Sequence, residues 1–96
     1  METKSPLERA AEKLVATVEA DWKSDVPFGS WHASEGERVL EESRSLLAAV
    51  QAGTLRDLLA GSTIPEFLGE SWLGVHEKSY EQATALQGVA SELFAV

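Results

Sequence analysis

The sequence predicts an all-α fold, a compact antiparallel bundle of four to five short helices. Three observations carry this expectation. Helix-start signals recur along the chain, apolar residues return at three- and four-residue steps after them, and no segment shows the period-two alternation of a strand. The connections are short, which makes successive helices antiparallel neighbours.

The first start is Ser5-Pro6-Leu7-Glu8, with Ser5 as N-cap, Pro6 at the first helical position and Glu8 at the third. Leu7, Ala10, Ala11, Leu14, Val18 and Trp22 follow on one face, so helix one is expected over 6–23. Pro27 and Gly29 then break the period, and Val26 is expected outside the helical region because a proline follows it. A loop over 24–34 is the result. Ser34-Glu35-Gly36-Glu37 reads as a second capping box, starting a helix over 35–52 with Val39, Leu40, Ser43, Leu46, Leu47 and Val50 inward and Gly53 as its stop. Thr54 is placed to cap a short helix from Leu55 to Ala60, closed by Gly61. Thr63-Ile64-Pro65-Glu66 repeats the cap, proline and acid pattern and starts a helix reaching Trp72 or Val75, with Ile64, Phe67, Leu68, Trp72 and Val75 at core spacing. The last helix is expected over 77–95, with Tyr80, Ala83, Leu86, Val89, Ala90, Leu93 and Phe94 forming a wide apolar face. Gly88 within it suggests close approach of a neighbouring helix.

Ninety-six residues suit one domain, 1–96, since domains typically run to about 100–150 residues. Sixteen acids stand against eight Lys/Arg, a formal charge of −8. The acidity is spread, because residues 1–48 and 49–96 each net −4 (ten acids with six bases, six with two). Such a surface repels phosphate, so direct nucleic-acid binding is not expected. A helix-turn-helix drawn through 55–72 would offer the groove Glu66 and Glu70 and no cation. There is no cysteine, no basic-apolar leader, and no apolar run near the ~20 residues a bilayer span requires. The expected setting is cytoplasmic and away from membranes.

The same inventory argues against catalysis and cofactors. Two histidines, His32 and His76, and no thiol make a poor zinc set, and no metal site is expected. His76 is better placed as a helix C-terminal residue, where an imidazole complements the dipole. Counted from Asp21, the sixth and twelfth positions of a would-be calcium loop hold Val26 and His32 where glycine and glutamate are required. No nucleophile elbow, phosphate-cradling glycine loop or HExxH helix occurs. No catalytic or cofactor-binding residue is assigned. Acyl carrier proteins have this size, charge and helix number, but the Asp-Ser-Leu attachment motif has no counterpart in Glu42-Ser43-Arg44 or Gly61-Ser62-Thr63. Trp72-Leu73-Gly74 matches the tripeptide of the secreted WxG helical hairpins, yet stands three-quarters along the chain instead of at a central turn.

The remaining signal is the segment 25–34. Asp25, Phe28, Trp31 and His32 are the candidate partner-binding residues, since aromatic side chains outside a helical register are the usual material of binding hot spots. The competing reading has Phe28 and Trp31 fold back and plug the open end of the bundle. The function expected is a non-enzymatic protein-binding module, an acidic regulator or inhibitor of the immunity-, antitoxin- or phage-inhibitor kind, whose partner has a basic surface. Alternatives are a self-associating structural protein, forming for instance a homodimer, a nucleic-acid mimic, or a carrier-like domain.

Overall fold

The computed structural model describes residues 5–28 and 31–94, apart from the side chains of Phe28, Trp31, His32, Leu93 and Phe94. It is all-α. Three long helices, α1 (Pro6–Asp25), α2 (Trp31–Ala52) and α6 (Glu77–Phe94), form the frame. Three short ones, α3 (Leu55–Leu59), α4 (Ile64–Leu68) and α5 (Glu70–Leu73), lead from α2 to α6. α1 lies between its two long neighbours and runs against both. Trp22 near its end meets Ala33 near the start of α2, while Glu8 near its start meets Gln51 near the end of α2. On the other side, Asp25 and Asp21 meet His76 and Ser79 in that order. The radius of gyration, 13.1 Å, is that of a folded chain of this length.

Two of the expected helix starts are present in detail. Ser5 Oγ accepts the Glu8 amide at 3.1 Å. Thr63 Oγ1 accepts the Glu66 amide while the Glu66 carboxylate accepts the Thr63 amide, a complete capping box at the head of α4. α2 stops where Gly53 predicts. Its φ is +76°, and the Thr54 and Gly53 amides return to the carbonyls of Ala49 and Val50, the paired bonds of a Schellman end.

Several starts and ends differ. Val26 remains helical (φ −51°, ψ −46°), with its amide bonded to the Trp22 carbonyl, so α1 runs to Asp25 and a 3-10 turn, Val26–Phe28, carries Pro27. The bias against a helical residue before proline is a preference, and the tighter turn accommodates it. α2 begins at Trp31, so the expected loop over 24–34 is far shorter and Ser34 is a helix-interior residue, not a cap. Residues 31–34 contain neither proline nor glycine, so nothing stops the helix from extending a turn upstream of the apparent capping box. Thr54 makes no side-chain cap, and α3 ends at Leu59 with Ala60 left-handed at φ +50°. The helix expected over 64–75 is two helices, broken at Gly69, whose φ is +108°. A β-carbon there would lie 2.6 Å from Arg38 Nη2, which donates to the last carbonyl of α4, Leu68 O, at 2.8 Å.

The core takes Ala11, Leu14 and Val18 from α1, Val39, Leu40, Leu46 and Ala49 from α2, and Ala83, Leu86 and Ala90 from α6. Leu55, Leu59, Ile64, Leu68, Trp72 and Leu73 close it from the short helices. Three inward assignments fail. Tyr80 is 45% exposed, because the buried stripe of α6 begins at Ser79 and continues through Ala83, Leu86 and Ala90. Val75 is 59% exposed, because α5 has ended before it. Among the described residues nothing lies within 4 Å of a β-carbon added at Gly88, so the glycine is not there to admit a neighbouring helix among them. The expected role of the apolar chain end, Leu93 to Val96, lies outside the described residues.

These termini and glycines give opposite expectations. Ser5→Ala should lower unfolding free energy by about 0.5–2 kcal/mol through loss of the cap. Gly88→Ala should raise it by about 0.5–1 kcal/mol, since it removes backbone freedom at an open helical site. Urea denaturation of the two variants checks both signs.

Candidate functional site

Trp72 is fully buried although it belongs to a helix of four residues. Such a helix has no stability of its own and exists because its side chains are packed. Gly36 on α2 makes the space: a β-carbon there would stand 2.9 Å from Trp22 Cδ1 and 3.0 Å from Trp72 Nε1. Trp22 is in turn fixed by its indole N–H, which donates to the Ala33 carbonyl at 3.0 Å. Two tryptophans from α1 and α5 therefore share a glycine seat on α2.

On Trp72 rests the imidazole of His76. The ring centroids are 3.8 Å apart and the planes inclined by 16°. His76 Nδ1 lies 2.8 Å from the Trp72 carbonyl oxygen, and Nε2 lies 2.7 Å from Asp25 Oδ2 at the end of α1. His76 is therefore not in the last turn of a helix: it lies in the link between α5 and α6, from which its ring reaches back to the Trp72 carbonyl and across to α1. One turn along, the buried Ser79 hydroxyl donates to Asp21 Oδ2 at 2.5 Å. α1 and α6 are tied by two polar contacts, Asp25 with His76 and Asp21 with Ser79.

An aspartate pair, a histidine and a serine in one place invite comparison with a hydrolytic triad. The wiring is different. A triad histidine receives the serine proton on one nitrogen and is oriented by a carboxylate on the other. Here both nitrogens of His76 are engaged, by Trp72 O and Asp25, and Ser79 points to a second carboxylate. No set of three or more His, Asp or Glu is placed to hold a metal ion among the described residues. Among those residues no helix is long and apolar enough to cross a membrane.

Of the four residues singled out from the sequence, Asp25 is found at this corner, bonded to His76. Phe28 is in the 3-10 turn and Trp31 and His32 are in the first turn of α2, so the two latter are helical and the reason for selecting them, a non-helical register, does not hold. What their side chains touch lies outside the described residues. The sequence does not mark His76 or Asp21 as partner-binding residues. Their partners are 51 and 58 residues distant in the chain, and no local pattern marks them.

Three exposed hydrophobic residues stand close to the Asp25–His76 pair in the chain. Val26 follows Asp25, Val75 precedes His76, and Tyr80, whose amide bonds to the His76 carbonyl, stands one turn further; they are 45%, 59% and 45% exposed. Leu73, Gly74, Glu77 and Tyr80 line an open groove of about 350 Å³. A larger open groove, about 580 Å³, lies between α2 and α3, lined by small residues such as Ala48 and Ala52 with Asp57 and Leu58. No protein family, curated protein or solved structure matches the chain.

The bridge between α1 and the α5–α6 corner should be energetically real. A double-mutant cycle with Asp25→Ala and His76→Ala is expected to show a coupling of about 1–2 kcal/mol in unfolding free energy, the range of a hydrogen bond to a charged group discounted for partial exposure. Additive losses would show the two side chains to be merely adjacent.

Proposed function

We propose that this chain is a non-enzymatic protein-binding module, an acidic regulator or inhibitor that docks a partner through the corner formed by the end of α1 and the α5–α6 junction. One observation carries the reading. Val26, Val75 and Tyr80, the large hydrophobic side chains exposed among the described residues, each stand within four residues of one member of a single bonded pair, Asp25 and His76. Isolated exposed apolar residues are ordinary, whereas grouped ones mark contact surfaces. Tyrosine beside a groove is also the kind of side chain that anchors interfaces.

The partner favoured is a protein with a basic rim around an apolar contact. The net charge of −8 would steer such a partner and raise its association rate, and Glu77 sits at the edge of the groove beside Tyr80. A cytoplasmic setting and a soluble monomer fit this reading. Self-association remains the second reading, because the same patch could meet its copy, although the shared negative charge opposes it.

Val75→Ser with Tyr80→Ser should leave unfolding free energy within about 0.5 kcal/mol of the parent, as exposed sites usually do. The same double substitution should weaken binding of a basic partner at least tenfold by titration calorimetry, and added salt should slow association. A partner held equally well by parent and variant would place the interface elsewhere. A solution mass of twice the chain that falls to one in the variant would favour self-association.

A further inference from the structure

The contacts of His76 bear on the number of protons it carries. Nδ1 faces the Trp72 carbonyl oxygen at 2.8 Å and Nε2 faces Asp25 Oδ2 at 2.7 Å. A carbonyl has no proton to give, and neither has an ionised carboxylate. A neutral imidazole has one N–H, so it would satisfy one of these contacts and set lone pair against lone pair at the other. The face of the ring agrees with the edges: it lies 3.8 Å from the Trp72 indole, which attracts a cation through its π-system. The pair is only partly open to water, with His76 11% and Asp25 21% exposed at the side chain, so these contacts are weakly diluted by solvent.

We propose that the folded protein holds His76 as an imidazolium donating from both nitrogens, and that Asp25–His76 is a proton-controlled latch between α1 and the α5–α6 corner. The charged side chains on the elements that meet here are Asp21 and Lys23 on α1, Glu35 and Arg38 on α2, Glu70 on α5, and Glu77 and Lys78 on α6. Asp21 is bonded to Ser79, Lys23 to Glu19, and Glu35 and Arg38 to each other, while the Asp25 carboxylate meets the ring directly. The sign follows from the donor count. With the ring doubly protonated and Asp25 ionised, both bonds are made. Rising pH removes a ring proton and breaks one of them, and strong acid protonates Asp25 and weakens the same bridge from the other side. The latch is independent of the binding reading, because it stands on intramolecular contacts alone.

The test is a long-range proton–nitrogen NMR spectrum of the intact chain near pH 7, with His32→Gln assigning the two rings. His76 should show the paired nitrogen shifts of an imidazolium, and Asp25 the carboxyl carbon shift of an ionised acid. A neutral His76 tautomer, with either an ionised or a protonated Asp25, would overturn the proposal. A second measurement is the melting temperature of the parent against His76→Gln. The parent's advantage should be several degrees near pH 6 and clearly smaller near pH 9, where one of the two bonds is lost. An equal advantage at both would also overturn it, and should His76→Gln fail to fold, the spectrum of the parent decides alone.

Discussion

Burying the Trp72 indole is the constraint from which the rest of this molecule follows. It is the largest side chain wholly withdrawn from solvent among the described residues, and it is carried by a helix too short to hold itself. Truncating an indole so buried typically costs about 3–5 kcal/mol, a large part of the stability of a small domain. That interaction keeps α5 in place. It requires a position on α2 without a side chain, which Gly36 supplies, and a second tryptophan, Trp22, to close the other side. Once the indole is fixed, one of its faces and its backbone carbonyl become the bed on which His76 lies.

The short helices follow the same logic of support from a distance. α4 starts at Ile64, whose amide is accepted by Gln87 Oε1 of α6 at 2.7 Å. It ends at Leu68, whose carbonyl accepts from Arg38 of α2. The two orphan ends of a five-residue helix are thus satisfied by the long helices on either side, while Ile64 and Leu68 fill the core between them. Function, in the reading favoured here, belongs to what this bracing leaves at the surface. The chain emerges from α1 and from α5 beside the Asp25–His76 pair, and the valines at those exits have nowhere inward to go.

Much of the architecture was legible in the residues because it is set locally. The Ser5 and Thr63 caps, the prolines after them, the inward stripe of Val39 to Leu46 and the glycine at 53 each act within a few residues, and each is found in place. Tertiary demands overrode the local pattern elsewhere. The run from Ile64 to Val75 has helical spacing throughout, yet the chain must turn at Gly69 to bring Trp72 under Gly36, and Val75 is left outside. Tyr80 is more apolar than Ser79, but Ser79 takes the inward position because Asp21 on α1 accepts its hydroxyl proton there. The site was half legible. The sequence marks Asp25 only as part of the segment 25–34, while its partner His76 depends on a contact between chain segments 51 residues apart, which periodicity does not encode.

The most direct test of this account is the unfolding free energy of Gly36→Ala measured by urea denaturation. In the interior of a helix, replacing glycine by alanine ordinarily stabilises by about 0.5–1 kcal/mol. At Gly36 the added methyl would meet Trp22 at 2.9 Å and Trp72 at 3.0 Å, so the account predicts the opposite sign. A loss of about 1–3 kcal/mol, the usual cost of overpacking, is the expected result. A variant as stable as the parent, or more so, would show that Trp72 is not seated on α2 and would contradict the account.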